Sequence, residues 1–310
     1  MDYKKFIDDQ IEEIKKAAGD GIAINALSGG VDSSVLTVLA HRALGDRCRT
    51  YFIDNALMRE GEPEAVVKTF ADIGVPVLKV DARAEFMGAL RGLTDPEEKR
   101  CAITETFYKG VFGRLVRETG AKMLLHGTIL TDIEETVAGI KRQHNILAQL
   151  GIDPVKEYGY RVVEPLATLR KDGVREVGRL LGLPSKVWDR IPFPGPALST
   201  RIVGEVTDDK LAIVRRATAI VEGELSDTKA FQYLAVLLSD KATGIRDGKR
   251  EFGHIIVVRC IESRDARAAT ATRLPWEKLE RICAAVTDIP GVNRCLYDLT
   301  PKPPATVEYI

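Results

Sequence analysis

Residues 27–34 read Leu27-Ser28-Gly29-Gly30-Val31-Asp32-Ser33-Ser34, an octet set between two apolar runs, Ile22–Leu27 and Val35–Ala40. A short buried-strand run on one side and a longer run on the other make the octet a strand-to-helix corner. Such a corner presents unpaired backbone N–H groups at the positive end of a helix, which is an anion site. Gly29 and Gly30 let the backbone turn and approach a phosphate with no Cβ in the way. Ser28, Ser33 and Ser34 add hydroxyl donors, and Asp32, itself an anion, is explained by a Mg²⁺ that bridges phosphate oxygens. The same residues also read more plainly as a helix cap and a turn. A Walker-type loop is excluded, because no Lys-Ser/Thr pair follows the glycines at the spacing that loop requires.

Working outward, apolar runs at 22–27, 49–53, 76–80, 122–126 and 161–163 read as buried strands, and each after the first follows a segment able to form a crossover helix. The fold class expected is α/β, a doubly wound parallel sheet. At 192–199 three prolines and a glycine break the pattern. The expected division is a nucleotide-binding domain over 1–198 and a smaller α+β domain over 199–310. The latter is read as a helix at 207–224, strands at 231–238, 254–262 and 293–299, a helix at 276–287, and a loop rich in glycine and charge at 239–253. Its apolar strands lack enough helix to cover both faces, which predicts dimerisation.

The 310 residues carry 45 Lys plus Arg against 45 Asp plus Glu, so no net field draws the chain to nucleic acid or an anionic membrane. No apolar run approaches the roughly 18 residues of a membrane span, and the charged N-terminal segment is unlike a signal peptide. Cys48, Cys101, Cys260, Cys283 and Cys295 have no metal spacing and read as free thiols of a cytoplasmic protein.

The segment SGGVDSS resembles the phosphate-binding signature of N-type ATP pyrophosphatases. GLTDPEEKR (92–100), LRKDGVREVGRLLGLP (169–184), PFPGPALSTRIVGEVT (192–207), RLPWEKLERI (273–282) and VNRCLYDLTPKPPATVE (292–308) together resemble the synthetase part of the GMP synthase family over nearly the whole chain. The organisation is similar to archaeal members whose glutaminase is a separate polypeptide. That resemblance implies ATP bound by Ser28, Gly29, Gly30, Val31, Asp32, Ser33 and Ser34, with Mg²⁺ on Asp32 and the adenosine near Leu27 and Ile53. It implies Asp32 and Lys171 as the catalytic pair, with Asp172 open between helix capping and Mg²⁺. Xanthosine monophosphate (XMP) would be the acceptor, held by Arg100, Arg201, Lys302, Thr306 and Glu308, and ammonia would come from a separate glutaminase subunit serving a homodimer.

The chain departs from the family pattern in the acceptor half. Ala197 stands where a glycine is usual, Asp265-Ala266-Arg267-Ala268-Ala269 replaces a DGMTA segment, a two-histidine loop keeps His144 and Asn145 alone, and the chain ends Glu308-Tyr309-Ile310. A paralogue adenylating another acceptor therefore remains a second reading. A tRNA-thiolation enzyme lacks its cysteine pair and basic face, a NAD-synthetase-like enzyme is opposed by KPPAT, and a non-catalytic nucleotide-binding protein is opposed by the retained Asp32 and Lys171.

Overall fold

The computed structural model describes residues 1–137 (side chains through 134), 156, 160–264 and 266–310. His144, Asn145 and Asp265 lie outside the described residues. Two compact units form: Met1–Asp54 with Pro63–Ala82 and Glu105–Arg190, and Asn55–Glu62 with Arg83–Thr104 and Ile191–Ile310.

The first unit is built on five parallel strands, β1 (Ala23–Ala26), β2 (Cys48–Asp54), β3 (Leu78–Asp81), β4 (Met123–Leu125) and β5 (Arg161–Val163), in the order β3-β2-β1-β4-β5. Every expected strand is present. The run at 76–80 forms its strand two residues later, because Pro76 has no N–H to give to a ladder. The strand order reverses beside β1, so the crevice at the carboxyl ends of β1 and β4 is the place where this topology leaves room for a ligand. Helices α1 (Tyr3–Ala18), α2 (Val31–Leu44) and α3 (Lys171–Leu180) pack on one another. α2 is buried almost all round, with Val35, Leu36 and Leu39 at 1% exposure or less, as a helix covering the centre of a sheet must be.

The second unit carries α4 (Asp208–Leu225), α5 (Trp276–Thr287) and an antiparallel pair, β6 (Gln232–Arg246) and β7 (Lys249–Glu262). A two-residue strand, β8 (Thr270–Ala271), and a parallel strand, β9 (Val292–Tyr297), both pair with β7. Two expectations are corrected here. The segment 239–253 is no loop, because β6 and β7 run through it and turn at Asp247-Gly248, both with positive φ (51° and 74°). That is the Asp-Gly two-residue turn whose twist matches a hairpin; the charged residues lie on an arm with water on both faces, which hid its strand character. The apolar strands are also not left uncovered: Leu234, Val236 and Val257 are buried within the chain against Val203 and Leu238.

No described helix is long and apolar enough to cross a membrane. All five cysteines are unpaired thiols, as expected.

Candidate functional site

The corner after β1 is organised by its own side chains. Gly29 takes φ +77°, a left-handed value that a side chain would strain, whereas Gly30 is extended and has no such need. The Ser28 N–H donates to Ser33 Oγ at 3.2 Å, the two serine hydroxyls are 2.9 Å apart, and Ser33 Oγ donates to the Gly30 carbonyl at 3.1 Å. The first turn of α2 is tied to the sheet from below: Asn25 Nδ2 donates to Thr37 Oγ1 at 2.6 Å, and that hydroxyl donates to the Ser33 carbonyl at 2.7 Å. Of the expected loop donors, Ser28 is exposed and Ser33 half-buried, while Val31 and Ser34 are buried and the Ser34 N–H closes the turn onto Gly30. The side chains of Leu27 and Ile53 are core, at 2% and 4% exposure, so these positions offer backbone rather than side chain to a nucleotide.

Asp32, in the first turn of α2, receives both hydrogen bonds of an ion pair from Lys171 Nζ, at 3.0 and 2.8 Å. Lys171 opens α3, whose buried face is Gly173, Val174, Val177 and Gly178. The absence of a Cβ at Gly178 is what lets α3 close on α2: a methyl there would lie 3.0 Å from Val35. Asp172 faces solvent one position on. Arg190, for which the sequence gave no cue, donates to the Gly29 carbonyl at 2.5 Å and holds the corner from outside.

A second wall comes from the residues after β4. Gly127 lies under the start of α2, with its Cβ direction 3.5 Å from the Ser33 nitrogen. His126 meets Tyr108 Oη at 3.4 Å and Thr128 Oγ1 at 2.7 Å, and Thr128 donates to Glu164 at 2.5 Å. The sequence offered no signal for this chain of polar groups beyond a strand ending in histidine. Among the described residues, no group of three or more His, Cys, Asp or Glu could hold a metal alone. One carboxylate beside a phosphate cradle nonetheless fits Mg²⁺, which takes one or two carboxylates and completes its shell with substrate phosphates and water.

The remaining candidates lie in the second unit. Arg201 is fully buried and grips Glu308 in a fork, Nε to Oε2 at 3.2 Å and Nη2 to Oε1 at 3.1 Å; its Nη1 has no hydrogen-bond partner. Gln232 donates to the same Glu308 Oε1 at 2.5 Å, a participant that the sequence reading missed because it lies in an apolar strand run. Lys302 Nζ donates to the Ala266 carbonyl at 2.8 Å, and the exposed Thr306 bonds the Glu308 carbonyl. Arg259, also buried and unforeseen, binds Asp298 Oδ2 at 2.6 Å and the carbonyls of Thr300 and Thr306 at 2.8 and 2.9 Å. Arg100 pairs instead with Glu97 of its own half-exposed helix turn.

A parallel sheet ordered this way, with a serine-glycine corner at the switch strand, defines an ATP-pyrophosphatase α/β protein. The fold matches an NMN synthetase from Francisella tularensis with a TM-score of 0.50, at 15% identity, covering 70% of this chain and 84% of that one. Residues 220–309 match the GMP synthase C terminal domain family. Along its whole length the chain is 50% identical to the synthetase subunit of the glutamine-hydrolyzing GMP synthase of Archaeoglobus fulgidus, covering 100% of both. It is 46% identical to the corresponding Pyrococcus horikoshii protein over 313 aligned positions, again covering 100% of both. The chain belongs to the GMP synthase family, among its separate synthetase subunits.

Proposed function

We propose that the chain adenylates XMP with ATP and aminates the product with ammonia, giving GMP, AMP and pyrophosphate. Membership of the family makes it an ATP-dependent carbon-nitrogen ligase. The observation that carries the residue-level reading is the Asp32–Lys171 pair at the mouth of the serine-glycine corner.

In this reading the ATP phosphates enter the Ser28–Ser33 corner and meet the N-terminus of α2, with the adenosine along the backbone near Leu27 and Ile53. Lys171 exchanges Asp32 for a phosphate oxygen, and the freed carboxylate takes Mg²⁺. When bound, that ion neutralises charge that builds on the pyrophosphate. The C2 oxygen of XMP forms a bond to the α-phosphorus while the bond to the β-phosphate oxygen breaks, and pyrophosphate leaves. Ammonia then adds at C2, loses a proton to solvent, and expels AMP. The chain supplies no nucleophile; positioning and charge compensation do the work.

Arg201, Lys302, Thr306 and Glu308, joined by Gln232, form the acceptor end, and Arg100 supplies a further cation. The orphaned Nη1 of Arg201 supports an additional acceptor there. A separate glutaminase subunit supplies ammonia. A second copy of the chain covers the exposed apolar residues Trp276, Leu296 and Leu299, at 70%, 47% and 71% exposure. The protein works in the cytoplasm. The test is ammonium-dependent GMP formation with stoichiometric pyrophosphate from XMP and ATP; pyrophosphate release with another acceptor and none with XMP would overturn the assignment.

A further inference from the structure

Lys99 is 1% exposed, and the activity described above has no use for it. It lies on the helix Pro96–Glu105, and its ammonium donates to three carbonyls of one short stretch: Ser199 at 3.2 Å, Ile202 at 2.8 Å and Gly204 at 3.1 Å. An ammonium has three donors and no acceptor, so the cage matches its full capacity and contains no carboxylate. The caged stretch includes Arg201, whose guanidinium forks onto Glu308 and lies 4.8 Å from the Phe193 ring centroid. The register of the turn at 199–204 therefore sets where Arg201 meets the C-terminal tail.

We infer that Lys99 is a positioning residue for the acceptor: through its three carbonyls it fixes the 199–204 turn, and through Arg201 it fixes Glu308 and the tail that receives the nucleotide monophosphate. This rests on the acceptor role given above to Glu308 and Lys302. The device depends on charge, since a neutral amine keeps two N–H groups for three carbonyls. Burial, with Lys210 and Arg100 adding like charge, brings the Lys99 ammonium down to about 8, while Asp95 opposes the shift. Lys210 donates to the Glu205 carbonyl and the Glu205 carboxylate accepts from the Gly92 N–H, so neither pairs with Lys99.

The experiment compares wild type, Lys99→Arg and Lys99→Met in the full chain. It reads KM for XMP and for ATP between pH 7 and 10, and amide hydrogen exchange over 197–206 and 298–308 without nucleotide. Lys99→Met is expected to raise KM for XMP about tenfold, leave KM for ATP unchanged, and speed exchange in both segments. Wild-type KM for XMP is expected to rise above pH about 8. Lys99→Arg, permanently charged, is expected to lose that inflection, which keeps the test readable if Lys99→Met folds poorly. Unchanged exchange at 298–308 in Lys99→Met, or the same alkaline rise in Lys99→Arg, overturns the inference. A wild type that makes no GMP would instead overturn the acceptor reading, while the exchange data still judge Lys99.

Discussion

Lys171 and Asp32 stand 139 positions apart in sequence and share both hydrogen bonds of one ion pair, at 2.8 and 3.0 Å, at the start of α2. The pair is open to water, with the two side chains 43% and 27% exposed. An exposed pair contributes about 0–1 kcal/mol to stability, so its placement at the nucleotide corner is the reason to keep it. Asp32→Asn is expected to leave the melting temperature within a few degrees and to lower pyrophosphate release at limiting Mg²⁺ by about a hundredfold or more. Near-wild-type turnover would remove Asp32 from the metal-binding role. Lys171→Met is expected to fail in the same assay but to keep its Mg²⁺ dependence.

The hairpin arm offers a controlled comparison of two glycines. Gly248 has φ +74° and no atom within 4 Å of a would-be Cβ, so Gly248→Ala carries only the conformational cost, about 1 kcal/mol. Gly253 is the reverse case. A methyl there would lie 2.6 Å from Asn293 and 2.7 Å from the Gly291 carbonyl. Gly253→Ala is expected to cost about 1–3 kcal/mol by overpacking β7 against β9. Chemical denaturation of both variants checks the order, and equal losses would contradict it.

The parallel sheet was legible because its strands are buried on both faces and read as continuous apolar runs, and the nucleotide corner because Gly29, Asp32 and the serines fall in one octet. What was hidden shares one physical cause: groups whose partners are remote in sequence. Lys99 and Arg100 are adjacent cations in one motif, yet the first is caged by carbonyls 100 to 105 positions away and the second pairs with Glu97, three positions back. Arg259 and Gln232 sit in strands that read as apolar, and only the fold brings the C-terminal tail against them. The Asp247-Gly248 hairpin was a local signal, masked by the charged residues of a solvated arm.

Arg259 is expected to be the least replaceable of these. It is 1% exposed and its partner Asp298 side chain 13%, and its guanidinium also holds the carbonyls of Thr300, Thr306 and Val307. Arg259→Met would leave a half-buried carboxylate and three carbonyls without their donor, a loss of about 3–5 kcal/mol. Burial alone would raise the Asp298 carboxyl, but donors from Thr300 and Arg259 outweigh it and hold the group below its ordinary 3.8. A depressed carboxyl stabilises the fold above its unfolded value and loses that contribution as pH falls through the folded one. Acid release of the tail is thus expected below about pH 4 in wild type. Proteolysis of residues 298–310 against pH checks this, with Arg259→Met expected to be cut at neutral pH.

The acceptor end makes the last prediction, because its residues are occupied with one another in the absence of a nucleotide. Lys302 Nζ holds the Ala266 carbonyl at 2.8 Å, and Glu308 is shared between Arg201 and Gln232. A monophosphate must therefore displace partners already in place, and removing one of these groups should change acceptor use without touching the first unit's nucleotide corner. Lys302→Ala deletes one charge-assisted contact, worth about 1.5–3 kcal/mol, and is expected to raise KM for XMP by about ten- to a hundredfold while KM for ATP stays within about twofold. Free ammonium is expected to support wild-type turnover in isolation, and glutamine only after a separate glutaminase is added. An equal rise of both KM values in Lys302→Ala would move Lys302 out of the acceptor site, whereas turnover on glutamine by the isolated chain would overturn the separate supply of ammonia.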